Sequence, residues 1–210
     1  LASIAISNAR MVQEQRNFFS NILEVLALAV ESIGPHYIGR PWRSQRLAAY
    51  LGRRLGVDAK DLTGLAYASL LHDIGYLTQR NNRYLEVAGI TVASGIAPNG
   101  KIDRLHALLG EKMLAGVDLF KGALPIIRHH HENYDGSGHP GGLSGETIPI
   151  GSRIIALSEV VEDVRFALRG ATPDDLKVQL KNDISNFSGK RLDPRIAQAY
   201  LEMIEEEDLV

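Results

Sequence analysis

Cysteine is absent from the 210 residues, which excludes disulfides and thiolate metal sites. No run of about eighteen apolar residues occurs, and the N-terminus lacks the layout of a secretory signal. An excess of one charge sign is missing too: 23 Lys and Arg face 25 Asp and Glu, for a formal net charge of −2. Without a basic excess there is nothing to hold a long phosphate backbone. Extended duplex DNA is therefore not expected as a partner, while a small phosphorylated ligand remains open. The absences together lead us to expect a cytoplasmic protein with no membrane partner. The remaining composition, 45% hydrophobic and 23% charged, is that of a globular chain. At this length folding buries roughly 70% of the surface exposed when unfolded, enough for a core without covalent help.

Strand patterning is lacking as well, since no alternation of any length survives a pass along the chain, and the expected fold class is all-α. Apolar residues Ile4, Met11, Phe18, Ile22, Leu26 and Val30 recur at three-, four- and seven-residue steps. This spacing predicts one long helix over 4–32, ended by Gly34 and Pro35. Residues 43–55 and 59–72 read as a helical hairpin around Gly56, Val57 and Asp58. The stretch 75–100 reads mostly as loop, and 102–115 as an amphipathic helix with Ile102, Leu105, Leu109 and Met113 on one face. A short helix over 122–132 runs into the glycine-rich stretch Asn133–Gly145, and a further helix spans 150–169. Thr172 caps a helix over 173–183 with Pro173 at its first position, and Pro194 starts the last one, 194–206.

Seven histidines are present, and their placement carries more than their number. His129, His130 and His131 are consecutive and followed by Glu132. His72 and Asp73 end an apolar helix in LLHDIG, and His106 lies on the inward stripe of 102–115. Imidazole nitrogens and carboxylate oxygens are ligands for zinc, iron and manganese alike. An Asp between two ions can give one oxygen to each, as a two-metal hydrolytic centre requires. Taken singly, a His on an apolar stripe is more often a core residue with one hydrogen bond, and a His-Asp pair is a polar helix end. In this order, and followed by DGSGHPGGLSGETIP, the elements form one signal.

The chain resembles an HD-GYP domain, the branch of the HD phosphohydrolase superfamily associated with hydrolysis of cyclic di-GMP. The residues that carry the match are His72, Asp73, Ile74 and Gly75, then His106 with Gly110, then HHENYDGSGHPGGLSGETIPIGSRIIALSE at 130–159 and SGKRLDP at 188–194. The match covers residues 31–210. The preceding SIAISNARMVQEQ resembles the helix that leaves a GAF sensor domain, so residues 1–30 are expected to be a connector, with a possible homodimer formed through it. The resemblance implies a helical bundle with a bi- or trinuclear centre, usually iron or manganese, whose bridging hydroxide attacks a phosphodiester. Two divalent ions are expected. Carried over by motif, His72 and Asp73 are ligands, with Asp73 the catalytic, bridging acid. His106, His130 and His131 complete the shell of the second ion, and Glu159 stands where the family has a final Asp. His129 has no counterpart and is expected in a supporting or solvent-facing place.

Departures from the pattern fall mainly at substrate positions. A ligand His expected about 32 residues before the His-Asp pair is Arg40, whose fixed charge repels a cation. His36 is the candidate to replace it if 36–40 is helical. The family's phosphate-binding lysine is Tyr76, and its guanine-stacking tyrosine is His139. FALRG at 166–170 stands where an Arg-Pro-Tyr segment is expected, leaving Arg165 and Arg169 as phosphate contacts. The leading expectation is a metal-dependent phosphodiesterase acting slowly on a cyclic dinucleotide, cyclic di-GMP, in bacterial signalling. The alternative is a catalytically impaired domain that acts as a nucleotide receptor or interaction module. A diguanylate cyclase or another signalling protein is the expected protein partner.

Overall fold

A computed structural model describes residues 2–78 and 105–206. The predicted loop beyond residue 78 and the first residues of the predicted helix 102–115 lie outside the described residues. Eight α-helices are described: α1 (Ala2–Glu31), α2 (Arg40–Arg54), α3 (Ala59–Leu71), α4 (His106–Leu114), α5 (Leu124–Arg128), α6 (Ile150–Ala167), α7 (Pro173–Phe187) and α8 (Pro194–Glu206). Among the described residues there is no strand, only an isolated bridge between Ser188 and Leu192. The fold is all-α, as expected.

Local chemistry explains the helix ends. Asp58 accepts hydrogen bonds from the backbone N–H groups of Lys60 (3.1 Å) and Asp61 (3.0 Å) at the start of α3, and Thr172 does the same for Asp175 at the start of α7 (3.2 Å). Each cap satisfies donors that have no partner inside their own helix. Gly56, with φ +72, closes α2 in the left-handed conformation that favours glycine. Its neighbour Val57 donates back to Gly52 O (2.9 Å), and α2 turns directly into α3.

Helix α6 is the axle of the bundle. Ile154, Ile155, Leu157, Val160, Val161 and Val164 are all buried on it, so apolar side chains leave it in every direction and neighbours cover it on all sides. Helices α2, α3, α5, α7 and α8 all pack on α6. Truncating a residue such as Ile155 to Ala would cost about 2–5 kcal/mol. Arg43 of α2 crosses to the buried Glu162 of α6 and donates to both carboxylate oxygens at 2.6–3.1 Å.

Helix α1 divides in two. Ala27 and Val30 are buried in the core and Leu23, Leu26 and Ile33 pack against it, whereas Ile4, Met11, Phe18 and Val25 are exposed. Two elements differ from the sequence expectation. The helix expected over 122–132 is only Leu124–Arg128, and residues 36–40 are not one helix. A 3-10 turn at Pro35–Tyr37 is followed by Gly39 at φ +70, and α2 begins at Arg40. The physical reason lies in prolines 35 and 41, each suited to a first helical turn and to no interior position.

Candidate metal centre

The ends of three helices meet the middle of α6. His72 follows the last residue of α3, His106 is the first residue of α4, and His129, His130 and His131 follow α5. Glu159 faces them from α6. The early end of α5 has a consequence for the site. Consecutive residues on an α-helix point about 100° apart, so a continued helix would send His130 and His131 in different directions. Leaving the helix at Arg128 brings their rings to 4.1 Å between centroids.

Among the described residues two groups of convergent donors result, each with ligand atoms within 4.8 Å of one another: the imidazole trio His106, His130 and His131, and the acidic trio His72, Asp73 and Glu159. In the first, His106 Nε2 lies 3.0 Å from both His130 Nε2 and His131 Nε2. Asp73 joins the two. Its Oδ1 is 3.4 Å from His106 Nε2 and its Oδ2 is 3.3 Å from His72 Nε2.

Hydrogen bonds on the far side of two rings fix which nitrogen faces inward. His130 Nδ1 donates to Ile127 O (2.6 Å) and His72 Nδ1 to Ser69 O (3.2 Å). Both rings therefore turn Nε2 into the site, the arrangement that metal-binding histidines use. His72 Nε2 is buried and makes no well-formed hydrogen bond, although Asp73 Oδ2 lies 3.3 Å away. Burial, then the neighbouring imidazoles, holds His130 and His131 well below the ordinary histidine range, His131 at about 2. Burial alone would raise the Asp73 carboxyl, but His72, His106 and Arg40 outweigh it and hold it well below the usual range. Neutral His130 and His131 beside an ionised carboxylate are a donor set for a divalent cation. On the imidazole side the residues fit one.

The acidic trio has other company. Arg40, only 5% exposed, places Nε 3.9 Å from Asp73 Oδ2 and a terminal nitrogen 3.9 Å from Glu159 Oε1. Its other terminal nitrogen donates to Asp163 at 2.9 Å. Arg191 donates to Glu159 Oε2 at 3.1 Å. His36 is not brought to either trio. It contacts the Arg40 guanidinium and lies 3.2 Å from Asp163, so it supports the arginine.

The remaining sequence candidates are distributed unevenly. Tyr76 lies flat on His106, with ring centroids 4.0 Å apart and 12° between planes. His139 stands beside His131 at 5.1 Å, half-buried at the rim. Arg169 is exposed and folds over Phe166 at 4.4 Å, and the Phe166 ring packs on His36. Arg165 goes elsewhere: two residues from Asp163, it points about 200° around α6, where its charge acts on the buried Tyr200 hydroxyl of α8. His129 meets Glu132 at 3.1 Å. Sequence reasoning noted Glu132 but gave it no role: it is a buried carboxylate that accepts from Gly141 N (2.6 Å) and Leu143 N (3.1 Å) and shapes the glycine-rich loop. The same reasoning missed Arg191 and Asp163. The only available signal was the position of Arg191 within SGKRLDP.

Comparison with known proteins places this geometry. The chain is 29% identical over 165 residues to a cyclic di-GMP phosphodiesterase response regulator of Xanthomonas campestris, covering 76% of this chain and 41% of that protein. It is 26% identical over 195 residues to a cyclic di-GMP phosphodiesterase of Thermotoga maritima, covering 92% and 51%. It is 30% identical over 166 residues to 3'3'-cGAMP-specific phosphodiesterase 3 of Vibrio cholerae, covering 73% and 33%. The chain thus spans about half, or less, of the length of these relatives. A crystal structure of a cyclic GMP-AMP-specific phosphodiesterase of V. cholerae shares the fold, with a TM-score of 0.68 at 20% identity over 89% of this chain and 48% of that one. The family description that matches is HD domain, over residues 24–196, and the chain belongs to that family.

Proposed function

We propose that this domain is a metal-dependent phosphodiesterase that hydrolyses a cyclic dinucleotide, with cyclic di-GMP as the first substrate to test and slow turnover expected. The observation that carries this reading is the convergence of His106, His130 and His131 on one point beside the ionised Asp73. The relatives' names, cyclic di-GMP for some and 3'3'-cGAMP for others, support the substrate class. We assign the ion, iron or manganese, to the imidazole trio with Asp73. Such an ion, when bound, supplies Lewis acidity, easing ionisation of a water and drawing charge from phosphoryl oxygens.

The chain's own residues do the rest. Asp73, central and ionised, accepts a hydrogen bond from the attacking water and so orients it. Arg191, about a third exposed beside Glu159, offers a guanidinium to a non-bridging phosphate oxygen. His139 at the rim presents a ring face to a purine base. Tyr76 covers His106 and brings no ammonium to the phosphate. Hydrogen bonds to charged groups contribute about 1.5–3 kcal/mol, so the missing lysine lowers turnover roughly ten- to a hundred-fold if that contact acts in the transition state. A lysine at 76 would add charge and uncover His106 together, so Asp73 is the better position to test.

The receptor reading is favoured by one observation, the Arg40 guanidinium beside Asp73 and Glu159. Single-turnover hydrolysis by manganese-loaded wild type and Asp73→Ala separates the two. Slow cleavage by wild type, abolished in the variant, supports the enzyme. Binding without cleavage supports the receptor, and absence of binding removes the substrate assignment. We assign residues 1–30 to a connector from a GAF-type sensor, with the exposed Ile4, Met11, Phe18 and Val25 as the seam for a second copy. The spacing of seven between them is that of a coiled-coil stripe.

A further inference from the structure

A divalent ion at the acidic trio would have to share its place with an arginine. Arg40 is fixed from outside the trio, by its bond to Asp163 and its contact with His36. Its planar head stands against Asp73 and Glu159 at 3.9 Å from each, beyond hydrogen-bond range. Arg40 Nε is buried without a hydrogen-bond partner. A buried guanidinium N–H left unpaired is expensive, so the arrangement is one of charge facing charge. Burial works against the Arg40 charge, but Asp73, Glu159 and Asp163 outweigh it and hold the guanidinium more firmly protonated than in water. Glu159 is further neutralised by Arg191 at 3.1 Å. Two carboxylates in this half therefore already face two permanent cations. The imidazole half is the opposite case: the charge against it is negative, with Asp73 Oδ1 at 3.4 Å from His106 Nε2.

We propose that the Arg40 guanidinium is the built-in cation of the group formed by His72, Asp73 and Glu159, and that the chain holds one metal ion, at His106, His130 and His131, in place of two. This inference rests on the metal-dependent reading of the site. It replaces the sequence expectation of two ions, and it leaves Asp73 bound between an ion on one side and an arginine on the other. The arginine cannot exchange or be chelated away, so one half of the centre has a charge independent of metal supply.

The test is a count of ions. Protein stripped with chelator, reloaded with manganese and desalted is analysed for metal per chain and by electron paramagnetic resonance. Wild type is expected to hold one ion with the signal of an isolated Mn²⁺. Arg40→His, which supplies a ligand, is expected to hold two with the signal of a coupled pair. Arg40→Met keeps the stem and removes the charge, and is expected to gain the second ion more weakly. Circular dichroism and thermal unfolding check that both variants fold. Two ions in wild type would overturn the proposal whatever the variants do, and so would folded variants that stay at one. No ion in wild type would overturn both the proposal and the metal-dependent reading beneath it. If the counts are as expected and no form cleaves a cyclic dinucleotide, the inference stands and the phosphodiesterase reading falls.

Discussion

Replacing Gly75 by Ala tests how the His-Asp pair is held against α4. Gly75 lies two residues after Asp73, and its backbone touches the first turns of α4. A Cβ added there would stand 2.0 Å from His106 O, 2.7 Å from Gly110 N and 2.8 Å from His106 C. All three are backbone atoms, so no side chain can swing aside. Restoring ordinary contact at 3.4 Å requires the two segments to part by about 1.4 Å. Overpacking of this kind costs about 1–3 kcal/mol, and we expect the upper end because helix backbone must move. For a domain of this size that corresponds to a fall in Tm of roughly 6–12 °C. The same displacement carries Asp73 away from His106, and a misplacement of about 1 Å is worth on the order of a hundred-fold in rate. Gly110→Ala is the control. Its Cβ would meet Ile127 Cγ2 at 3.2 Å and Ile74 Cγ2 at 3.4 Å, side-chain methyls that can yield, so a much smaller loss is expected. Differential scanning calorimetry and manganese titration of both variants are the assays. A Gly75→Ala protein that melts within a degree of wild type and binds manganese equally would refute the reasoning.

Three further outcomes are expected. Glu132→Ala strips the acceptor from Gly141 N and Leu143 N and should lower stability by about 3 kcal/mol. Glu132→Gln, which keeps one acceptor, should lose less, and urea unfolding that ranks the two equally would count against the role given to the loop. In metal-free protein His130 and His131 stay neutral in the fold, while their unfolded counterparts take up protons near pH 6.5. Stability is therefore fully present above that pH and falls as pH drops below it, by about 1.4 kcal/mol per pH unit for each ring. His131→Asn should remove one ring's share of that slope, and a flat profile between pH 6.5 and pH 5 would refute the assignment. Deleting residues 1–21 leaves the buried Ala27 and Val30 in place and should convert a dimer to a monomer in sedimentation. An unchanged mass at high micromolar concentration would remove the self-pairing seam.

Helix α6 shows what short-range pattern could reveal and where it stops. Its extent, the hairpin of α2 and α3, and the caps at Asp58 and Thr172 follow from neighbours within a few residues, where propensity and capping act. The same holds for the histidines as a set, since their order along the chain carries the family resemblance. The end of α5 at Arg128 was not legible. Beyond Pro125 in its first turn, LPIIRHHHE has no breaker, and what stops the helix is the inward demand on His130 and His131 and the bond from His130 Nδ1 to Ile127 O.

By itself the sequence determined an all-α bundle, because helical periodicity and capping are local, and through the family resemblance it grouped His72, Asp73, His106, His130, His131 and Glu159 as expected ligands. Tertiary structure alone decided how that set divides. Arg40 reaches Asp73 and Glu159 across 33 and 119 residues of chain, Arg191 reaches Glu159 across 32, and Tyr76 finds the face of His106 across 30. No spacing rule encodes such meetings, since they depend on where helix ends fall once the core of α6 is packed. A charged side chain in a sequence is a ligand, a counter-ion or a solvated group according to what faces it, and for Arg40 the answer came only when two buried carboxylates stood beside it.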